Sequence, residues 1–80
     1  MRGEWTYARD ELIRTITELG FPAELGEAAA RHLGSPKAMY RMIRYLDYVQ
    51  PRSAELIVDE MLAIRDEIDA WKERKKSRRA

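Results

Sequence analysis

Eighty residues allow one domain, and a chain this short buries only about 60–65% of its unfolded surface, so its stability is modest. With no cysteine and a single histidine, His32, disulfide staples and thiolate chemistry are excluded, and so is a zinc site without several carboxylate partners. The net charge of +1 hides an asymmetry: residues 72–80 hold six basic residues against Glu73, a net +5, so the rest of the chain carries −4.

Three sets of breakers divide the chain: Gly20 with Pro22, Gly34 with Pro36, and Pro51. Four segments lie between them, and each reads as a helix. The first is expected over about Tyr7–Leu19, capped by Thr6, with Asp10 and Glu11 early in it, where the helix dipole favours acids. Trp5, Leu12, Ile16 and Leu19 fall at helical spacing, with Ala8 and Ile13 beside them. Gly20 then ends the helix.

The second segment is expected over about Pro22–His32, with the proline in the first turn, where no amide donor is needed. Leu25, Ala28, Ala29 and Leu33 make a narrow apolar face. Gly26 costs roughly 1 kcal/mol of helix propensity relative to alanine, so close packing against a neighbour is the expected compensation. His32 near the C-terminal end interacts favourably with the helix dipole.

Ser35-Pro36 is a strong start signal, an N-cap followed by a proline at the first helical position. The third helix is therefore expected over Pro36–Val49, with Met39, Met42, Leu46 and Val49 along one stripe. Pro51 disfavours helical geometry at Gln50 and closes it. Ser53 caps the fourth helix, expected to reach about Arg74 and to be about 30 Å long. Ile57, Met61, Ile64, Ile68 and Trp71 form a heptad seam along it. Leu56 and Leu62 broaden that seam in the first half only. The second half is expected to project past the bundle, to pair with the first helix or to meet a second copy.

No strand signal is present, and apolar runs fall far short of the ~20 residues that span a membrane. Residues 1–5 have no apolar signal core, so a cytoplasmic location is expected, and Met1 suggests a whole chain. The expected core is Leu12, Ile16, Leu19, Leu25, Ala29, Leu33, Met39, Met42, Ile43, Leu46, Ile57, Met61, Leu62 and Ile64. Residues 1–71 are expected to form one helical domain, and residues 72–80 a basic, frayed tail.

Enzymatic chemistry has no foothold in the pattern. There is no glycine-rich phosphate loop, no nucleophile–base pair and no helix with paired histidines, so no catalytic residue, metal or cofactor is assigned. The carboxylate pairs Asp59/Asp66 and Glu60/Glu67, seven apart, read as a solvated face beside the seam.

Residues 28–44 look like a helix-turn-helix: an alanine-rich helix, the turn glycine Gly34, then a helix carrying Tyr40-Arg41. Such a motif places its second helix in the major groove. Lys37, Arg41, Arg44 and Arg52 would contact phosphates and bases, with Lys75 and Lys76 of the tail assisting. One departure stands out. Ser35-Pro36 directly follows the glycine, where the motif has an apolar plug, so the turn is one residue short.

The stretch Leu12-Ile13, Ile16, Leu19-Gly20-Phe21-Pro22, Ala38-Met39 and Tyr45-Leu46 resembles the ubiquitin-associated domain and its bacterial look-alikes over about residues 9–49. That resemblance implies a compact three-helix bundle, to which this chain adds a longer C-terminal helix. It also implies a contact surface at Leu19, Gly20, Phe21, Leu46 and Tyr45. Residues 16–71 are similar as well to short helical proteins of bacteria, a likeness that implies no activity. The function expected is that of a non-enzymatic protein-interaction module, with Leu19, Gly20, Phe21, Leu46, Ile68 and Trp71 as contact residues. Its partner is unknown, and a homodimer through the fourth helix is one form it could take. The alternative is nucleic-acid binding through the third helix and tail.

Overall fold

The computed structural model describes the backbone of residues 3–79 and the side chains of residues 3–72. Four α-helices follow one another: α1 (Glu4–Glu18), α2 (Ala23–Leu33), α3 (Pro36–Val49) and α4 (Ala54–Arg79). The chain is all-α among the described residues. Its extents of 46 × 34 × 19 Å make a slab about two helices thick.

Local chemistry marks several of the helix ends. At α3, Ser35 Oγ accepts the Ala38 N–H at 3.2 Å, and Pro36 opens the first turn. At α4, Ser53 Oγ accepts the Leu56 N–H at 3.3 Å. Gly20 and Gly34 end α1 and α2 at φ +97° and +80°, the left-handed region that glycine enters at little cost. Gln50, at φ 50°, ends α3 with its N–H on the Leu46 carbonyl at 2.9 Å.

The start of α1 differs from expectation. Its N-cap is Gly3, with no side-chain cap, and Thr6 lies inside the helix. Trp5 is thereby drawn into the helix, and its Nε1–H donates to the Gly34 carbonyl at 3.2 Å. The turn between α2 and α3 is gripped from α4 as well. Arg65 Nη1 donates to the carbonyls of His32 and Leu33 at 3.4 and 3.3 Å, capping the negative end of α2.

α1 packs along both α2 and α3, and α4 packs on the same pair. Among the described residues, no Cα of α4 comes within 8 Å of one in α1, so the seam does not run against the first helix. The buried core takes Ala8, Leu12 and Ile16 from α1, and Ala29, Ala30 and Leu33 from α2. α3 supplies Ala38, Met39, Met42 and Leu46, and α4 supplies Ile57 and Ile64. Leu19, Leu25, Ile43 and Met61 are half-buried against it.

Leu62 departs from the expected core, at 44% exposed. Five residues after Ile57, it lies about 140° around the helix from the seam, pointing away from α2 and α3. Gly26 behaves as its propensity cost implied. A Cβ there would lie 2.9 Å from Ile13 Cα, so α1 and α2 meet at backbone distance.

α4 runs to Arg79, past the expected end near Arg74. Lysine, arginine and glutamate are good helix formers, and cations favour the C-terminal end of a helix. The expectation of a frayed tail concerns residues 72–80, of which 73–80 lie outside the described side chains. No helix among the described residues is long and apolar enough to cross a membrane.

Candidate functional site: a groove between α3 and α4

The two ends of the α4 seam have different fates. Ile57 and Ile64 are sealed in the core, Ile68 is half-buried, and Trp71 is 56% exposed. The seam outruns the bundle at this point, because α4 is longer than the helices beneath it. Below Ile68 and Trp71 lies the first turn of α3. Together they bound a groove of about 370 Å³.

Its α3 wall is Ser35, Lys37, Ala38 and Arg41, and its α4 wall is Glu67, Ile68, Trp71 and Lys72. Ala38 and Ile68 make the floor apolar. Lys37 and Lys72 are exposed cations on opposite walls. Arg41 Nη2 donates to Glu67 Oε2, an ion pair that ties α3 to α4 across the groove. The sequence pattern did not single out Glu67, Lys72, Ser35 or Ala38 for this place. Lys72 could have been found, since it follows Ile68 by one helical turn.

The groove thus joins residues expected to serve two different functions. Ile68 and Trp71 were expected to bind protein, and Lys37 and Arg41 to bind nucleic acid. Arg44 lies further along the same face of α3, with Tyr45, Asp47, Tyr48 and Val49, around a wide depression of about 710 Å³. All of its walls come from one helix, so it is a flank rather than a cleft. Tyr48 is 91% exposed there. Arg52 stands in the turn at the far end of α3 from Lys37, and the side chains of Lys75 and Lys76 lie outside the described residues.

The Leu19-Gly20-Phe21 loop is partly covered, with Gly20 exposed at its tip. Leu19 and Phe21 are half-buried against the core, and the Phe21 N–H donates to the Ile16 carbonyl at 3.2 Å. Leu46 is fully buried and offers no atom to a partner. Tyr45 beside it is half-buried. Among the described residues, no three histidine or carboxylate side chains are grouped closely enough to hold a metal ion.

Comparison with protein-family models, curated proteins and solved structures gives no match to this chain.

Proposed function

We propose that this chain is a non-enzymatic helical interaction module whose working surface is the groove between α3 and α4. One observation carries this reading: Trp71, more than half exposed, stands with Ile68 beside cations from both walls. An exposed tryptophan over an apolar floor is the kind of anchor that dominates binding energetics. The likeness of residues 9–49 to a ubiquitin-associated domain belongs to the same proposal. It describes α1 to α3 as a three-helix unit. Leu19 and Phe21 of the loop surface that it implies are half-buried, and we place the contact surface instead on α4, which lies outside that likeness.

A small apolar anion, indole-3-acetate, tests the groove without presupposing the partner. In amide-resolved NMR, titration is expected to shift Ser35, Ala38, Ile68 and Lys72, and Trp71→Ala to abolish those shifts. Shifts centred on Leu19–Phe21 would instead make that loop the working surface.

Self-association through the seam has little apolar surface left to use, because Ile57 and Ile64 are spent inside the core. A standard interface buries about 800 Å² per partner, well beyond what Ile68 and Trp71 expose. Sedimentation equilibrium at low and physiological salt is therefore expected to give a monomer. A salt-insensitive dimer, lost on Ile68→Glu, would show that the seam joins two copies.

A further inference from the structure

The groove between α3 and α4 carries an unbalanced charge. Three cations line it, Lys37, Arg41 and Lys72, against one carboxylate, Glu67, a net +2. Glu67 is taken by Arg41, so the excess rests on the two lysines. Both are exposed, one on each wall, and neither has an ion-pair partner among the described residues. Between them lies the apolar floor of Ala38, fully buried, and Ile68, half-buried. The Ser35 hydroxyl, on the α3 wall, accepts the Ala38 N–H and keeps its own proton to donate.

We infer that the groove takes an acidic segment of a partner protein, with one apolar side chain on the Ala38–Ile68 floor and a carboxylate on each of Lys37 and Lys72. The inference rests on the groove being the working surface and names its occupant. In an extended segment the side chains at i, i+2 and i+4 share one face, so an acid–x–apolar–x–acid pattern presents these three groups together. A lysine ammonium is a compact charge on a flexible stem, so the two can close on carboxylates of varied spacing. The floor then supplies affinity by burying apolar surface, and the lysines select the sign of the partner's charge.

Other occupants match less of this surface. A pocket for a small anion encloses about 70–90% of its ligand, whereas this groove has walls from two helices only. A nucleic acid carries charge along its whole length, and beyond the groove it meets the exposed acids Asp66 and Asp69 on α4 and Asp47 on α3. A bilayer needs a continuous apolar face to bury, while Ile68 lies half-buried between two charged walls.

The test is an amide-resolved NMR titration of the full chain with the peptide Glu-Ser-Leu-Ser-Glu, acetylated and amidated so that only its side-chain carboxylates are charged. The parallel arms are Glu-Ser-Ser-Ser-Glu, Lys-Ser-Leu-Ser-Lys, oligothymidylate, phosphatidylserine vesicles and indole-3-acetate. Circular dichroism confirms that each variant is folded. Lys37→Glu places an acid in the first turn of α3, where the helix dipole favours it. The acidic leucine peptide is expected to shift Ser35, Ala38, Ile68 and Lys72, and to bind several-fold more weakly at about 200 than at about 50 mM salt. Loss of its leucine should weaken binding about tenfold, and so should Lys37→Glu. The double variant Lys37→Glu with Lys72→Glu should reverse the preference and take the lysine peptide.

Equal binding of the acidic and lysine peptides by the unaltered chain would overturn the inference. So would tighter binding of oligothymidylate or vesicles at the same amides, or shifts there that grow with protein concentration alone, which would make a second copy the occupant. If indole-3-acetate moved the groove amides and the acidic peptide did not, the inference would fall while the groove stood as the working surface. If no probe moved them, both would fall.

Discussion

Gly26→Val is expected to destabilise the protein by about 3 kcal/mol, enough to remove much of its stability. At position 26 a Cβ would lie 2.9 Å from Ile13 Cα and 3.0 Å from Ile13 Cγ1. The first of these is a backbone atom, which cannot move aside without parting α1 from α2. Overpacking of this kind costs about 1–3 kcal/mol, and a branched side chain falls at the upper end. Gly26→Ala makes a useful comparison. It gains about 1 kcal/mol of helix propensity against the same backbone contact, so a net loss below about 2 kcal/mol is expected. A domain of this size has only about 4–12 kcal/mol in total. Gly26→Val should therefore lower the melting temperature by about 12–24 °C. An unchanged melting curve would mean that α1 and α2 do not meet at backbone distance.

Ile64→Asp is expected to be at least as severe, at about 4 kcal/mol or more. Ile64 is sealed between α4 and the α2–α3 pair. Replacing it removes a fully buried aliphatic side chain and places a carboxylate where nothing in the apolar core can pair with it. The protein escapes part of that cost by letting α4 go, since among the described residues α4 packs on α2 and α3 and not on α1. Amide exchange should accordingly quicken first in α4, and the groove should lose its Trp71 wall. Leu62→Asp, two residues earlier on the exposed side of the same helix, should change stability by less than about 0.5 kcal/mol. If both variants melted alike, the assignment of the buried face of α4 would be overturned.

The contrast between Ile64 and Leu62 shows how far the sequence could be read. Both are aliphatic residues in one heptad-spaced segment. The period places Ile64 on the seam and Leu62 off it, yet hydrophobicity alone led to counting both as core. Leu46 poses the converse problem. The resemblance of residues 9–49 made it a contact residue, whereas its place between Met42 and the other helices makes it core. The groove was legible only in pieces. Trp71 and Ile68 showed themselves through the seam, and Lys37 and Arg41 through charge, with nothing in the pattern to join them. Glu67, which ties Arg41 to α4, read as one of several solvated acids.

The sequence by itself determined the four helices, their order and most of their limits. Those features follow from local chemistry: the serine caps at Ser35 and Ser53, the left-handed glycines Gly20 and Gly34, and the prolines. It also determined which stripe of each helix is apolar, because a period of 3.6 residues is written directly in the chain. Only the tertiary structure decided how those stripes are shared out. α1 takes the middle of the bundle against α2 and α3, and α4 joins them without approaching α1. Helix pairing depends on the shapes of whole surfaces meeting at a distance in sequence, such as Ile13 on Gly26 or Arg65 on the end of α2. No local signal encodes those meetings. The same selection leaves Ile68 and Trp71 beyond the core, where the first turn of α3 happens to supply the facing wall.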